Sequence, residues 1–241
     1  HRIENYQALE FRGEFWLGDR WALLTMLPVL NNYASSNGGV DADIYGIGDP
    51  SVLARWVALN TKADQENVKW VKRLTLGFGA KLPLGTADRR YAGELVDHDL
   101  QPGSGTLDGL LSAEYMMRKR KWGAGMSSVV RLNTRDGHGR RGGHGVNMTL
   151  EAFRILRTKG IQWMPSAGVY QEWMAKDRYD GVDDQGTGGS TWFSHLGVRF
   201  WVDRLAFNLS WQHAVAHDQG ANMMPNRDRI VGGITWMLGS E

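Results

Sequence analysis

The chain has 241 residues, 28 Lys and Arg against 26 Asp and Glu, a formal net charge of +2, 31 Gly, 11 Trp, 6 Pro and no Cys. The lack of cysteine excludes a disulfide scaffold, a thiolate zinc site and a cysteine nucleophile. The near-balanced charge argues against a nucleic-acid binder, which carries a basic stripe. No run reaches the roughly 18 apolar residues of a membrane helix, since the longest, Trp21 to Leu30, is interrupted by Thr25 and Pro28. The chain opens His1-Arg2-Ile3-Glu4-Asn5, without the apolar stretch of a signal peptide. Composition reads this as a cytoplasmic protein or a mature, processed one, and pattern decides between them.

The pattern is period two throughout. Leu9, Phe11, Phe15 and Leu17 oppose Glu10, Arg12, Glu14 and Trp16. Segments 21–30 and 51–60 alternate less cleanly. From Arg73 to Leu84 the alternation is strict, with Leu74, Leu76, Phe78, Ala80, Leu82 and Leu84 on one parity and Arg73, Thr75, Gly77, Gly79, Lys81 and Pro83 on the other. Leu107, Leu111, Ala113, Tyr115 and Met117 then oppose Thr106, Asp108, Ser112 and Glu114. The segments 122–133, 146–154, 161–175, 192–202 and 229–238 follow the same rule, as do Leu205, Phe207, Leu209 and Trp211 against Ala206, Asn208, Ser210 and Gln212. This alternation is the signature of β-strands, and no capped segment of helical period competes with it.

The predicted strands run over 4–17, 21–31, 44–60, 68–84, 106–118, 121–133, 145–156, 161–176, 190–202, 205–216 and 227–239. Strands of about 9–11 residues suit a tilted crossing of a bilayer. Short turns fall at Gly18–Arg20, Thr61–Asn67, Arg118–Lys121, Arg157–Gly160 and Asp203–Arg204. Long Gly-, Asp- and Arg-rich loops fall at Asn31–Asp43, Gly85–Gly105, Thr134–Gly145, Lys176–Ser190 and Ala216–Asp228. Short turns at one end and long loops at the other mark an outer-membrane barrel. The expected fold is all-β, a single transmembrane up-and-down antiparallel β-barrel over residues 1–241. Eleven strands are counted, whereas bacterial single-chain barrels have even numbers. About twelve are therefore expected, with the missing one preceding the first.

Parity assigns the faces. Phe11, Phe15, Leu76, Phe78, Leu111, Val198, Phe200, Phe207, Leu209, Trp211 and Ile234 point outwards. Glu10, Arg12, Glu14, Arg55, Arg73, Lys81, Asp108, Glu114, Arg131, Glu151, Glu172 and Arg199 line the lumen. The reverse assignment would put Arg73, Arg131 and Arg199 in lipid at about 2–4 kcal/mol each. Trp21, Trp56, Trp70, Trp122, Trp163 and Trp173, with Tyr6 and Tyr115, lie near strand ends, where aromatic girdles form.

Three motifs add a resemblance. Gly46-Ile47-Gly48-Asp49, Lys81-Leu82-Pro83-Leu84-Gly85 and Asp99-Leu100-Gln101-Pro102-Gly103-Ser104-Gly105-Thr106-Leu107-Asp108, with Val231-Gly232-Gly233-Ile234-Thr235-Trp236 near the end, resemble the outer-membrane proteins of the phenol meta-degradation pathway. Strand order and spacing match from about residue 6 to 238. The resemblance implies a small outer-membrane barrel that transports aromatic or other apolar compounds. Two departures are a missing N-terminal strand and an ending, Trp236-Met237-Leu238-Gly239-Ser240-Glu241, without a terminal aromatic.

The remaining chemistry is sparse. Asp97, His98 and Asp99, the pair Asp41 and Asp43, and the pair Asp183 and Asp184 are cation candidates without the spacing of a calcium loop, and they read better as solvated loops. No metal or other cofactor is expected. Arg135, Arg140, Arg141, His138 and His144 form a basic outer loop, which reads first as a hydrated loop and second as one that pairs with lipopolysaccharide phosphates. Ser194 and His195 are adjacent and so face opposite sides, His213 and His217 flank a strand end, and no serine sits in a nucleophile elbow. The chain is thus read as a non-enzymatic outer-membrane channel passing a small apolar or aromatic solute. Lys81, Arg73 and Arg199 with Glu114 and Asp108 are the expected constriction. The alternative is a plugged barrel acting as a membrane anchor or as a partner in an envelope complex. Six acidic against six basic lumen groups favour a paired network over an ion-selective pore. A soluble lipocalin-like carrier is the remaining competitor.

Overall fold

In the computed structural model, which describes residues 2–64, 69–158, 160–221, 223 and 226–238, the alternating segments form long strands. The wall begins with β1 (Arg2–Trp16) and β2 (Trp21–Ser36), continues into β3 (Gly39–Ile47), and returns through β4 (Ser51–Asn60), the one-turn helix α1 (Thr61–Asp64) and β5 (Val71–Lys81). The next loop holds the short strands β6 (Arg90–Tyr91) and β7 (Glu94–Leu95), followed by β8 (Asp108–Lys119) and β9 (Trp122–Leu132). β10 (Arg140–Arg141) lies in a loop before β11 (Gly145–Arg154), β12 (Leu156–Thr158) and β13 (Ile161–Met174). β14 (Arg178–Tyr179) and β15 (Val182–Asp183) lie in the loop before β16 (Gly189–Val202), β17 (Leu205–Gln219) and β18 (Asp228–Trp236).

The main sheet runs β1-β2-β4-β5-β8-β9-β11-β13-β16-β17-β18, with β3 paired to β2 and β12 to β13. Every ladder in it is antiparallel. The sheet is strongly curled. On one face, side chains meet across intervening strands: Arg73 of β5 lies over the Trp16 ring of β1, and Arg229 of β18 reaches Glu172 of β13. On the other face the ring contacts join adjacent strands only, as in Trp21–Trp56 and the row Trp163, Phe200, Phe207. The first face is therefore concave. Among the described residues β1 and β18 share no ladder, so the wall is an open, curled antiparallel sheet. As the first and last of eleven alternating strands, they run in the same direction.

Three expectations are corrected. The predicted loop Asn31–Asp43 is a hairpin: β2 continues to Ser36 and β3 pairs back along it from Gly39. Its turn carries Asn37 at φ 48° and Gly38 at φ 87°, the backbone of a type I′ turn. The predicted strand 44–60 splits at Gly48, Asp49 and Pro50, because β2 pairs with β4 only over its first six residues and with β3 above them. Tyr6 does not join the outward girdle: it pairs with Asn32 on the parity of Glu10 and faces the concave side. The other strand boundaries shift by three residues or fewer at each end, β17 continuing to Gln219. Parts of the predicted 61–67 turn, the 216–228 loop and the final three residues lie outside the described residues.

The hairpin β2–β3 rises beyond the β2–β4 ladder. Ala34, Ala42 and Ile44 on its concave side pack with Val96 and Leu100 from the loop between β5 and β8. This small dry cluster fixes that loop over the mouth of the curl, the end that carries the long loops.

Candidate functional site

Ladder partners share a face, so register tests parity across the whole sheet. Glu14 opposes Leu24 and Leu24 opposes Leu53; Arg55 opposes Gly77, Thr75 opposes Glu114, Gly125 opposes Glu151 and Asn147 opposes Glu172. All twelve predicted lumen residues fall on the concave face by this register.

They do not gather into one ring. Lys81 and Asp108 meet at 2.7 Å near the loop ends of β5 and β8. Arg55 lies in mid-strand and spans the concavity, bonding Glu14 at 3.1 Å and Glu114 at 2.6 Å. Arg73 stacks 5.4 Å from the Trp16 centroid. It precedes Lys81 by eight residues on one strand, about 26 Å at the usual rise. Arg199 lies 6.0 Å from the Trp201 ring. The expected constriction of Lys81, Arg73, Arg199, Glu114 and Asp108 is therefore spread along the strands. Arg12 pairs with Glu10. Glu151 approaches His195 at 3.7 Å, and Glu172 binds Arg229 at 2.5 and 2.8 Å and accepts from the Tyr170 hydroxyl at 2.8 Å.

Arg229, Tyr170 and His195 were missing from the expected set. Arg229 was readable, since it opposes the parity of Ile230 and Ile234. It also lies 4.6 Å over the Phe193 ring, which is fully buried. Arg131, Asn147, Glu172 and Asn226 border a cavity there of about 250 Å³. The concave face also carries apolar groups: Leu53, Leu110 and Phe153 are buried on it.

The three sequence motifs converge on one junction. Asp49, buried at 7% exposure, accepts hydrogen bonds from Lys81 Nζ at 2.9 Å, the Gly85 amide at 2.9 Å, the Ser104 amide at 2.8 Å and the Ser104 hydroxyl at 2.7 Å. Asp108 accepts from the Thr134 amide at 2.9 Å. Glycines make this possible: a Cβ on Gly85 would sit 2.7 Å from the Gly48 carbonyl carbon, and one on Gly103 would sit 2.5 Å from that of Gly85. Burial alone would raise the Asp49 pKa. The hydrogen bonds from Lys81 and Ser104 and the Lys81 charge outweigh it and hold the carboxyl below its ordinary 3.8. Asp49 lies outside the strands, at the loop end of the wall.

The same loop reaches the opposite wall. Asp99 binds Arg140 at 3.2 Å, and Arg140 also binds Asp177 at 2.6 Å, joining three loops across the mouth. β10, β14 and β15 form a small sheet that ties the last two of these loops together. Asp99 is thus engaged by a cation-bearing side chain. Among the described residues no three acidic or imidazole groups cluster as a metal site.

On the outer face Ser194, His213 and Asp228 stand in register on adjacent strands. The Ser194 hydroxyl donates to the His213 carbonyl at 3.4 Å, while His213 Nδ1 lies 2.9 Å from Asp228. The hydroxyl is therefore turned to the backbone and away from the imidazole, which is not a nucleophile–base arrangement. His195 faces the other side.

No family model matches the chain, and no curated protein matches it. Among solved structures, it resembles the crystal structure of an outer-membrane channel from Pseudomonas putida F1, with 16% sequence identity, a TM-score of 0.65, and coverage of 95% of this chain and 81% of that one. The likeness is one of fold alone.

Proposed function

We propose that the protein is a bacterial outer-membrane β-barrel channel, non-enzymatic, passing a small apolar or aromatic solute. The observation that carries this reading is the exposed face. Phe15, Phe78, Leu111, Leu150, Leu196, Leu209 and Ile234 are exposed and form an apolar band around the convex side, while ionised groups occupy the concave side. A protein in water does not leave so long an apolar belt uncovered, and a soluble lipocalin-like carrier would place it inside. The shared fold with an outer-membrane channel supports the same reading.

Strand direction supports closure by one further strand. β1 and β18 run the same way, so joining them directly would make a parallel pair in an antiparallel wall. One further strand, antiparallel to both, completes a twelve-stranded barrel, an even number. The Asp49, Lys81 and Ser104 motifs support the narrower resemblance to phenol-pathway outer-membrane proteins. The concave face supports an apolar or aromatic solute: Trp16, Leu53, Leu110 and Phe153 lie among charges that are mostly paired or ring-stacked. Lipid and lipopolysaccharide are the surrounding partners.

Planar-bilayer recording tests the channel. Conductance steps that change in Arg55→Glu support it. A silent barrel, with normal insertion, overturns it in favour of a plugged barrel serving as an anchor or a partner in an envelope complex. The Arg55 bridge and the loop fastened over the mouth favour that second reading.

A further inference from the structure

The geometry points to a binding site for a phosphate-bearing glycolipid headgroup on the outer surface of the β10–β14–β15 loop sheet. It rests on the outer-membrane reading and adds a ligand site to it. Arg140 turns towards the mouth, where it meets Asp99 and Asp177. Arg141, the next residue on the strand, therefore points away from the mouth. Its ladder partner Arg178 shares that side.

Beneath them lies Trp173, exposed on the apolar face one residue before the end of β13. An indole in that position marks the level where acyl chains meet headgroups. Arg141, His144, Trp173, Lys176, Arg178 and Asp183 border a cavity of about 610 Å³. Its charges do not cancel. Arg178 is paired with Asp183, and the neighbouring Arg135 with Asp180. Among the described residues Lys176 meets the neutral Gln185 and no carboxylate. Arg141 Nε is buried without a partner among the described residues. His144 Nδ1 accepts from the Asn133 amide at 3.0 Å, which leaves Nε2 as the donor of a neutral ring. The result is an anion site with two surplus cations, set directly above an interfacial tryptophan. Guanidinium and ammonium groups bind phosphate through charge-assisted hydrogen bonds, and basic pockets at a bilayer surface take lipid headgroups. Arg141 and Arg178 set the basic rim of the cavity on the side away from the mouth, so its ligand belongs to the outer leaflet and not to the transported solute.

The test uses the full protein in detergent, with purified lipopolysaccharide as probe and binding read by native mass spectrometry. Arg141→Ala/Lys176→Ala is expected to weaken binding at least about tenfold, the loss of two charged contacts. Lipopolysaccharide stripped of its phosphates is expected to bind wild type as weakly. Lys176→Gln alone, with unchanged circular dichroism, is expected to fall between. Arg229→Ala, on the concave face, should leave binding unchanged. Inorganic phosphate displacing the glycolipid at micromolar concentration would show a free-phosphate site and overturn the proposal. Equal binding by wild type and the double variant would also overturn it. Insertion into vesicles, measured separately by protease protection, distinguishes the two levels: a protein that inserts but ignores the glycolipid refutes only this site, whereas one that fails to insert refutes the outer-membrane reading as well.

Discussion

Replacing Asp49 with alanine removes one carboxylate and four hydrogen bonds at once: those from Lys81, the Gly85 amide, and the amide and hydroxyl of Ser104. Lys81 keeps Asp108 at 2.7 Å, so its charge is not left alone. The cost comes instead from the lost hydrogen bonds to a charged acceptor, at about 1.5–3 kcal/mol each and less than additive within one network, or about 3–5 kcal/mol for the junction. Three of the four lost contacts, those from Gly85 and Ser104, tie the 82–107 loop to the wall, so the cost falls mainly on that loop and not on the strands. At about 1.4 kcal/mol per tenfold, the open population of the loop rises roughly 100- to 4,000-fold. Hydrogen exchange read by mass spectrometry measures this directly. Amides from 86 to 106 are expected to lose two to three orders of magnitude of protection, while β8, β9 and β13 keep theirs. Asp49→Asn, which retains an acceptor oxygen, should lose less. Unchanged protection in the loop would refute the argument that Asp49 fastens it, and loss of protection throughout the wall would refute its locality.

Acid should open the same junction. The folded Asp49 pKa lies below 3.8, so its contribution is complete above the unfolded value and is lost as pH falls through the folded one. Protease nicking of the loop should rise below about pH 4, and Asp49→Asn should flatten that dependence. Gly103→Ala would drive a methyl group to 2.5 Å from the Gly85 carbonyl carbon; loop exchange should rise as in Asp49→Ala with the wall unaffected. Phe78→Arg on the convex face should cost about 2–4 kcal/mol and reduce the folded, heat-modifiable band on gels. Asn147→Lys on the concave face, beside Glu172, should leave that band intact; equal loss in both variants would overturn the assignment of faces.

Much of the wall was legible in the sequence because period two is a property of the local backbone. Once Leu74, Leu76 and Phe78 alternate with Arg73, Thr75 and Gly77, no distant residue is needed to say which side chains share a face. By register those twelve residues share one face of the curled sheet, the concave one. The Asn31–Asp43 stretch escaped that logic. Its polar composition resembles a loop, and the Asn37-Gly38 turn signal was the cue that it folds back on itself.

The path of the chain decided the rest. Asp49, Lys81 and Ser104 sit in motifs 32 and 23 residues apart, and only the β2–β3 hairpin and the returning loop bring them together. Arg229 meets Glu172 over 57 residues because the sheet curls. Whether charges form one ring or a spread column depends on their positions along tilted strands. Alternation assigns a face but not a height, so tertiary structure alone separated Arg73 from Lys81 and turned a supposed constriction into a fastened loop at the mouth and a bridge across the middle.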